Sequence, residues 1–283
     1  MGHESSLRSL LSNTLLSPNE ARILMAHVLD QHYQLPRSAL LSRDDMVLNA
    51  EALEGWRSLE AKRLQGEPIA YLIGKKGFHN IELQVAPGVL IPRPETELLV
   101  EIGLREIRTI ENEGGKASVL DLGTGSGVIA LAIAHESPNT VVTATDQSSE
   151  ALLIARSNAI NLGLESQVQF AQGSWYQAIG KESAFNIILS NPPYIANQDP
   201  HLAQGDLRFE PMDALTDHSS GLTCLEIIIQ DAHEHLKPNG LIAVEHGFDQ
   251  SNAVTELMIK AGLRDIQTHQ DLAGHNRVVS ARK

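Results

Sequence analysis

The sequence predicts an α/β protein, a mostly parallel sheet covered by helices on both faces and preceded by a small helical domain. Three observations carry this. From Lys116 onward, short apolar runs alternate with stretches long enough for helices, the pattern of parallel strands joined by helical crossovers. The first seventy or so residues show helical spacing alone. The chain has 283 residues, 42% hydrophobic and 20% charged, enough for a standard α/β domain and a smaller partner. The expected boundaries are 1–74 for the helical bundle, 75–95 for a β-hairpin linker and 96–283 for the sheet domain.

In the bundle, Ser17-Pro18-Asn19-Glu20 reads as a capping box with proline at the first helical position. Ala21, Leu24, Met25, Val28 and Leu29 then give one apolar face. A second helix is expected from about Asn49 to Gln65, with Ala52, Trp56 and Leu59 on one side and Gly66 and Pro68 as its stop. Runs at Ile81 to Val85 and Val89 to Ile91 flank Pro87-Gly88, which predicts a hairpin turning at that pair. Arg93-Pro94-Glu95-Thr96-Glu97 opens an amphipathic helix bearing Leu98, Leu99, Ile102 and Ile110.

The expected strands of the sheet are Val119–Leu122, Val141–Thr145, Val168–Ala171, Phe185–Leu189 and Leu241–Val244. Two last runs, Asp265–Thr268 and Val278–Ala281, sit close enough to form an antiparallel pair at the edge.

Charge narrows the partners. Twenty-two basic against thirty-five acidic residues leave a net charge of −13, the reverse of what a phosphate backbone selects, so no direct nucleic-acid binding is expected. No run reaches the roughly 20 apolar residues of a membrane span. Cys224 is the single cysteine, which fits a reducing compartment. The opening MGHESSLRSLLSNTLL lacks the basic region and cleavage site of a signal peptide, and a cytoplasmic address is expected. The twelve histidines are scattered and no metal-ligand spacing occurs, so no metal is expected.

The run from Val119 to Ala130 passes from strand through Gly123-Thr124-Gly125-Ser126-Gly127 into an apolar helix. Glycines here let a ligand press against backbone. Dinucleotide folds want G-x-G-x-x-G, whereas the third glycine falls one position early, and the lysine of a P-loop is missing. A G-x-G-x-G turn preceded by an acidic residue is similar to that of methyltransferases that bind S-adenosylmethionine. Asp146 ends the next strand about twenty residues on. It can accept from both ribose hydroxyls or act as a helix N-cap, and strand position and spacing favour the ribose. Asp121 either orients the glycine loop or meets the methionine end of the cofactor. Trp175 offers a flat face to an adenine ring, or packs in the core.

Ser190-Asn191-Pro192-Pro193-Tyr194 follows the fourth strand, and open α/β sheets bind ligands at the carboxyl ends of their strands. An amide or aromatic-amine nitrogen is a poor nucleophile, so an enzyme must supply position and electrostatics. The Asn191 side-chain oxygen and the Pro192 carbonyl are candidate acceptors for the NH2 hydrogens. Pro192 and Pro193 stiffen the loop and remove two donors, and Tyr194 can stack on a planar group. The bland alternative is a proline-rich turn started by Asn.

With these motifs in hand, the chain resembles the bacterial protein-(glutamine-N5) methyltransferases that modify peptide chain release factors at the glutamine of their Gly-Gly-Gln loop. NPPY alone is shared with DNA adenine methyltransferases. The segments Ile91 to Glu97, Gln204 to Pro211 and Glu245-His246-Gly247 single out this family. The resemblance implies an S-adenosylmethionine-dependent, Rossmann-like methyltransferase domain. It implies cofactor contacts from Gly123, Thr124, Gly125, Ser126, Gly127, Asp146, Trp175 and Asn191, and a glutamine held by Asn191, Pro192, Pro193 and Tyr194. It departs at Ser174, where many relatives carry an acidic residue, so no adenine-amino contact is assigned there. The competing reading is a nucleic-acid N-methyltransferase acting on adenine N6 or guanine N2. His246 is read as structural.

Overall fold

The computed structural model describes residues 6–283. The chain forms two compact units, one ending at Gly74 and one starting at Lys75.

The first unit is built from helices Leu7–Asn13, Pro18–Tyr33, Ala39–Ser42, Ala50–Leu64 and Ile69–Ile73. The capping box forms as expected: Ser17 Oγ accepts from the Glu20 backbone and Glu20 Oε2 from the Ser17 backbone N–H at 3.2 Å, which satisfies two donors a helix start would otherwise leave open. Asn49 caps the Ala50–Leu64 helix by accepting from Ala52 N at 2.8 Å. The apolar faces of these two helices meet around Leu24, Met25, Leu29, Ala52 and Trp56, all buried; Leu59 packs at the edge of this cluster.

The second unit opens with a hairpin of β1 (Lys75–Phe78) and β2 (Ile81–Gln84), paired antiparallel. The sequence placed the turn one run too late. It lies at His79-Asn80, where His79 takes φ 49°, a left-handed value that His tolerates better than most residues. Val89 to Ile91 is no strand, because its backbone is used elsewhere: Val89 N closes a turn onto Ala86 O, and Ile91 N donates to the Glu210 side chain.

The main sheet contains β3 (Ser118–Leu122), β4 (Val141–Asp146), β5 (Val168–Gln172), β6 (Phe185–Ser190), β7 (Leu236–Glu245), β8 (Arg264–Gln270) and β9 (Asn276–Arg282). Their spatial order is β5-β4-β3-β6-β7-β9-β8, parallel except that β9 runs antiparallel to β7 and β8. Both faces are apolar at alternating positions. Val119, Ile187, Leu189 and Ala243 meet the helices Glu97–Asn112 and Val128–Glu136 on one side. Leu120, Leu122, Ile188 and Ile242 meet Thr223–His235 and Ser251–Lys260 on the other. The period of two along each strand makes this division unavoidable.

The chain leaves β3 toward β4 and β5 but returns to the other side of β3 with β6. That reversal opens a crevice at the carboxyl ends of β3 and β6. Register places Leu122 opposite Ser190, and Ser190 Oγ donates to Leu122 O at 2.7 Å. The glycine turn and the Asn-Pro-Pro-Tyr loop therefore leave the sheet side by side. No helix of the described residues is long and apolar enough to cross a membrane.

Candidate active site

A cavity of about 640 Å³ occupies this crevice, within the usual range for small-molecule sites. Gly123, Thr124, Gly125, Ser126, Asp146, Trp175, Asn191 and Pro193 all line it, joined by Pro92, Arg93 and Thr96 from the segment ahead of the Glu97–Asn112 helix. Gly127, Pro192 and Tyr194 are not among its lining residues.

The glycine turn is tied down by carboxylates. Asp121 Oδ2 accepts from Thr124 Oγ1 at 2.6 Å and from Ala130 N at 3.2 Å, binding the turn to the start of the following helix. Its Oδ1 is buried with no partner among the described residues. Burial pushes this carboxyl up to about 7, against the Thr124 and Ala130 hydrogen bonds. Asp121 thus performs the orienting role. Gly127 has φ +88°, and a Cβ there would come within 2.8 Å of Leu131; the glycine serves the helix start rather than the cavity wall.

Asp146 is not the helix N-cap. Ser148 holds that position, accepting from Ala151 N at 3.1 Å. The Asp146 carboxylate instead accepts from Gly125 N at 2.8 Å and Ser148 N at 2.9 Å, one bond per oxygen, with lone pairs left over on each. Burial raises its pKa above the ordinary range. Trp175 lies over the turn: a Cβ at Gly123 would sit 3.2 Å from its Cζ3. The ring also packs on the core beneath, so it lines the cavity and fills space at once.

Asn191 Nδ2 donates to Thr96 Oγ1 at 3.0 Å, and its Oδ1 has no hydrogen-bond partner among the described residues. Pro192 is buried. Tyr194 turns inward, its hydroxyl donating to Glu245 Oε1 at 3.1 Å and its carbonyl accepting from Gln250 Nε2 at 2.9 Å. The loop is thus anchored at both ends by its side chains.

Several contributors went unassigned in the sequence. Thr96 and Glu245 were visible inside quoted segments, but nothing in their spacing said that they meet the loop. Arg93 pairs with Glu210, whose Oε2 also accepts from Ile91 N at 2.9 Å; this joins two segments 117 positions apart. Asp217 accepts from the backbone N–H groups of Ser219, Gly221 and Thr223 at 2.8 Å each. Cys224 also lines the cavity, and burial pushes its thiol up to about 11, so it stays a thiol. His246 is fully buried, with Nδ1 against Gly247 O at 2.7 Å, and burial lowers its pKa; it is a neutral packing residue. No group of three or more His, Cys, Asp and Glu among the described residues is placed to hold a metal ion.

Comparison with known proteins decides the family. The model described as the PrmC N-terminal domain matches residues 7–74, and the methyltransferase small domain matches residues 102–206. A release factor glutamine methyltransferase of Bordetella pertussis is 46% identical over 274 residues, covering 96% of this chain and 97% of the relative. This chain belongs to the release factor glutamine methyltransferase family. A Burkholderia pseudomallei member is 44% identical, covering 96% and 94%. Among solved structures, a methyltransferase from Pyrococcus furiosus aligns with TM-score 0.55 at 21% identity, covering 80% of this chain and 98% of that one. The T. thermophilus 16S rRNA N2 G1207 methyltransferase aligns with TM-score 0.53 at 20% identity, covering 74% and 49%. At these identities the structural likeness speaks for the methyltransferase fold alone. Every residue lining the crevice falls in the second unit of this chain, which starts at Lys75.

Proposed function

We propose that this chain transfers a methyl group from S-adenosylmethionine to the side-chain amide nitrogen, N5, of the glutamine in the Gly-Gly-Gln loop of peptide chain release factors. The observation that carries the reading is Asn191: it lines the cavity with its NH2 committed to Thr96 and its oxygen uncommitted.

The residues present fit the cofactor. Ser126 Oγ is buried without a partner among the described residues and belongs to a cavity-lining residue, an unmet polar atom that a ligand would satisfy. Gly123 to Ser126, Asp146 and Trp175 would hold it, with Asp146 offering its spare lone pairs to the ribose and Trp175 its face to the adenine. When bound, S-adenosylmethionine supplies a methyl group made electrophilic by its sulfonium.

The chain's own residues have a narrower task. An amide NH2 is planar and its lone pair is delocalised, so it reacts only if aimed. Asn191 Oδ1 accepts one N–H, and the Pro192 carbonyl is the proposed acceptor of the other. As positive charge builds on nitrogen, both bonds strengthen, which is the difference in binding that lowers a barrier. Tyr194 holds the loop through Glu245 rather than by stacking on substrate.

The test is a labelled methyl-transfer assay with purified release factor, its glutamine-substituted variant, DNA and RNA side by side. Label is expected on the intact release factor alone. Label on nucleic acid and not on release factor would overturn the substrate assignment.

A further inference from the structure

The glycine turn is held by a residue that does not itself line the cavity. Asn158, on the helix Ser149–Leu162, is 1% exposed. Its Nδ2 donates to Ser126 O at 2.9 Å and to Gln84 O at 3.0 Å, and its Oδ1 accepts from Gln84 N at 2.7 Å. Both amide hydrogens and the oxygen are thereby committed. The reversed amide would set its oxygen against two carbonyls, so only one orientation satisfies the site.

Both ends of this link bear on the cavity. An α-helix would bring the N–H four residues on to Ser126 O, but Ala130 N donates to Asp121 instead. Asp121 and Asn158 between them therefore take the two groups. Ser126 makes no other hydrogen bond among the described residues, and its buried hydroxyl is the partnerless atom that lines the cavity. One turn before Asn158, Ala155 packs on the same stretch: a Cβ at Gly127 would lie 3.4 Å from its Cβ. Gln84 ends β2 between Leu83 and Val85, both buried. Four residues later the chain becomes cavity wall at Gly88, Val89 and Leu90. Gln84 is thus the fixed base of one wall, and Ser126 belongs to another.

We propose that Asn158 is a positioning residue for the cofactor, setting the glycine turn against the wall that rises from β2. That wall has a second anchor in Glu210, which holds Ile91 and Arg93, whereas Ser126 has none. Loss of Asn158 therefore frees the turn and not the wall, and falls on cofactor affinity rather than on methyl transfer itself. By linkage, bound cofactor steadies Gln84 in return. This inference rests on the reading of the glycine turn as the S-adenosylmethionine site.

Two measurements on the full chain test this. The first is calorimetric titration with S-adenosylhomocysteine. Asn158→Ala should bind it about tenfold or more weakly, while turnover at saturating S-adenosylmethionine stays within a factor of about three. Asn80→Ala is the control: it removes the hairpin's bond to Glu136, 2.7 Å long, without touching the turn, and should leave affinity unchanged. Equal losses in the two variants, or no loss in Asn158→Ala, would overturn the proposal. The second measurement uses the native chain alone, which keeps the test decisive if Asn158→Ala does not fold. Hydrogen exchange at the Gln84 N–H, read by nitrogen-15 NMR, should slow by about fivefold or more on saturation with S-adenosylhomocysteine. The His79 N–H, held by Glu97 at 2.9 Å at the hairpin's other end, should not change. Both amides slowing alike, or neither, would contradict the link. A native chain that binds no S-adenosylhomocysteine would overturn the cofactor reading and this inference together; binding that ignores Asn158 would overturn the inference alone.

Discussion

The side chain of Glu210 accepts the backbone N–H of Ile91 at 2.9 Å across 119 positions of sequence. Its other oxygen pairs with Arg93, so one buried carboxylate holds the cavity-lining segment that begins at Gly88. Burial raises its pKa, with Arg93 and the Ile91 N–H opposing. Glu210→Ala would strand both an N–H and a guanidinium that is 30% exposed. We expect a loss of about 2–3 kcal/mol, below the full cost of breaking a buried pair because Arg93 reaches water. Glu210→Gln, which still accepts from Ile91, should cost about half as much. Urea denaturation of the two variants checks the order.

Gly221 supports the Asn-Pro-Pro-Tyr loop from behind. Its φ is +84°, and a Cβ there would meet Tyr194 O at 2.4 Å. Gly274 has the same φ, +83°, with nothing within 4 Å. Gly274→Ala should therefore cost only the conformational penalty of about 1 kcal/mol. Gly221→Ala adds the clash, and should cost about 2 kcal/mol or more and lower turnover by displacing Tyr194. Thermal denaturation and steady-state kinetics on this pair separate backbone strain from steric contact.

The Asp121 carboxyl gives stability a pH dependence of definite sign. Its pKa is about 7 folded and 3.8 in the reference state, so the folded chain carries the extra proton between those values. Stability then falls as pH rises through this window and is flat above it. At ~1.4 kcal/mol for each pH unit, Asp121 contributes a decline on the order of 3 kcal/mol between pH 5 and 8. Asp121→Asn keeps an acceptor for Thr124 and Ala130 and should shed that portion of the decline. Urea titrations at the two pH values, native against variant, measure it.

Asp146→Asn leaves one side-chain oxygen for two backbone donors, Gly125 N and Ser148 N, and loses the charge offered to ribose. Cofactor affinity should fall by about tenfold or more, at roughly 1.4 kcal/mol per factor of ten. Calorimetric titration with S-adenosylhomocysteine reports it directly; an unchanged affinity would remove Asp146 from the cofactor contacts.

The parallel sheet was legible because Val119, Ile187 and Ile242 sit in short apolar runs at crossover spacing, and both faces of every central strand are buried. The capping box at Ser17 was legible because its rule is local. The hairpin was misplaced because Pro87-Gly88 is a strong turn signal, while the turn at His79 rests on an uncommon φ that composition does not announce. In the site, Gly123, Asp146 and Asn191 were legible as motifs at fixed offsets from strand ends. Thr96, Glu210 and Glu245 were not, because their roles depend on contacts across 51 to 119 positions, and pairings at that distance leave no periodicity to read. Tyr194 shows the same limit: an aromatic beside a substrate loop and one bonded behind it look identical in sequence.

The oxygen of Asn191 carries the chemistry proposed here, and Asn191→Ala tests it most directly. Turnover on release factor and S-adenosylhomocysteine affinity should be measured on the same preparation. Turnover should fall by about a hundredfold or more while affinity stays within a factor of about three. Turnover and affinity falling together would make Asn191 a cofactor ligand and contradict its role as the acceptor that aims the glutamine.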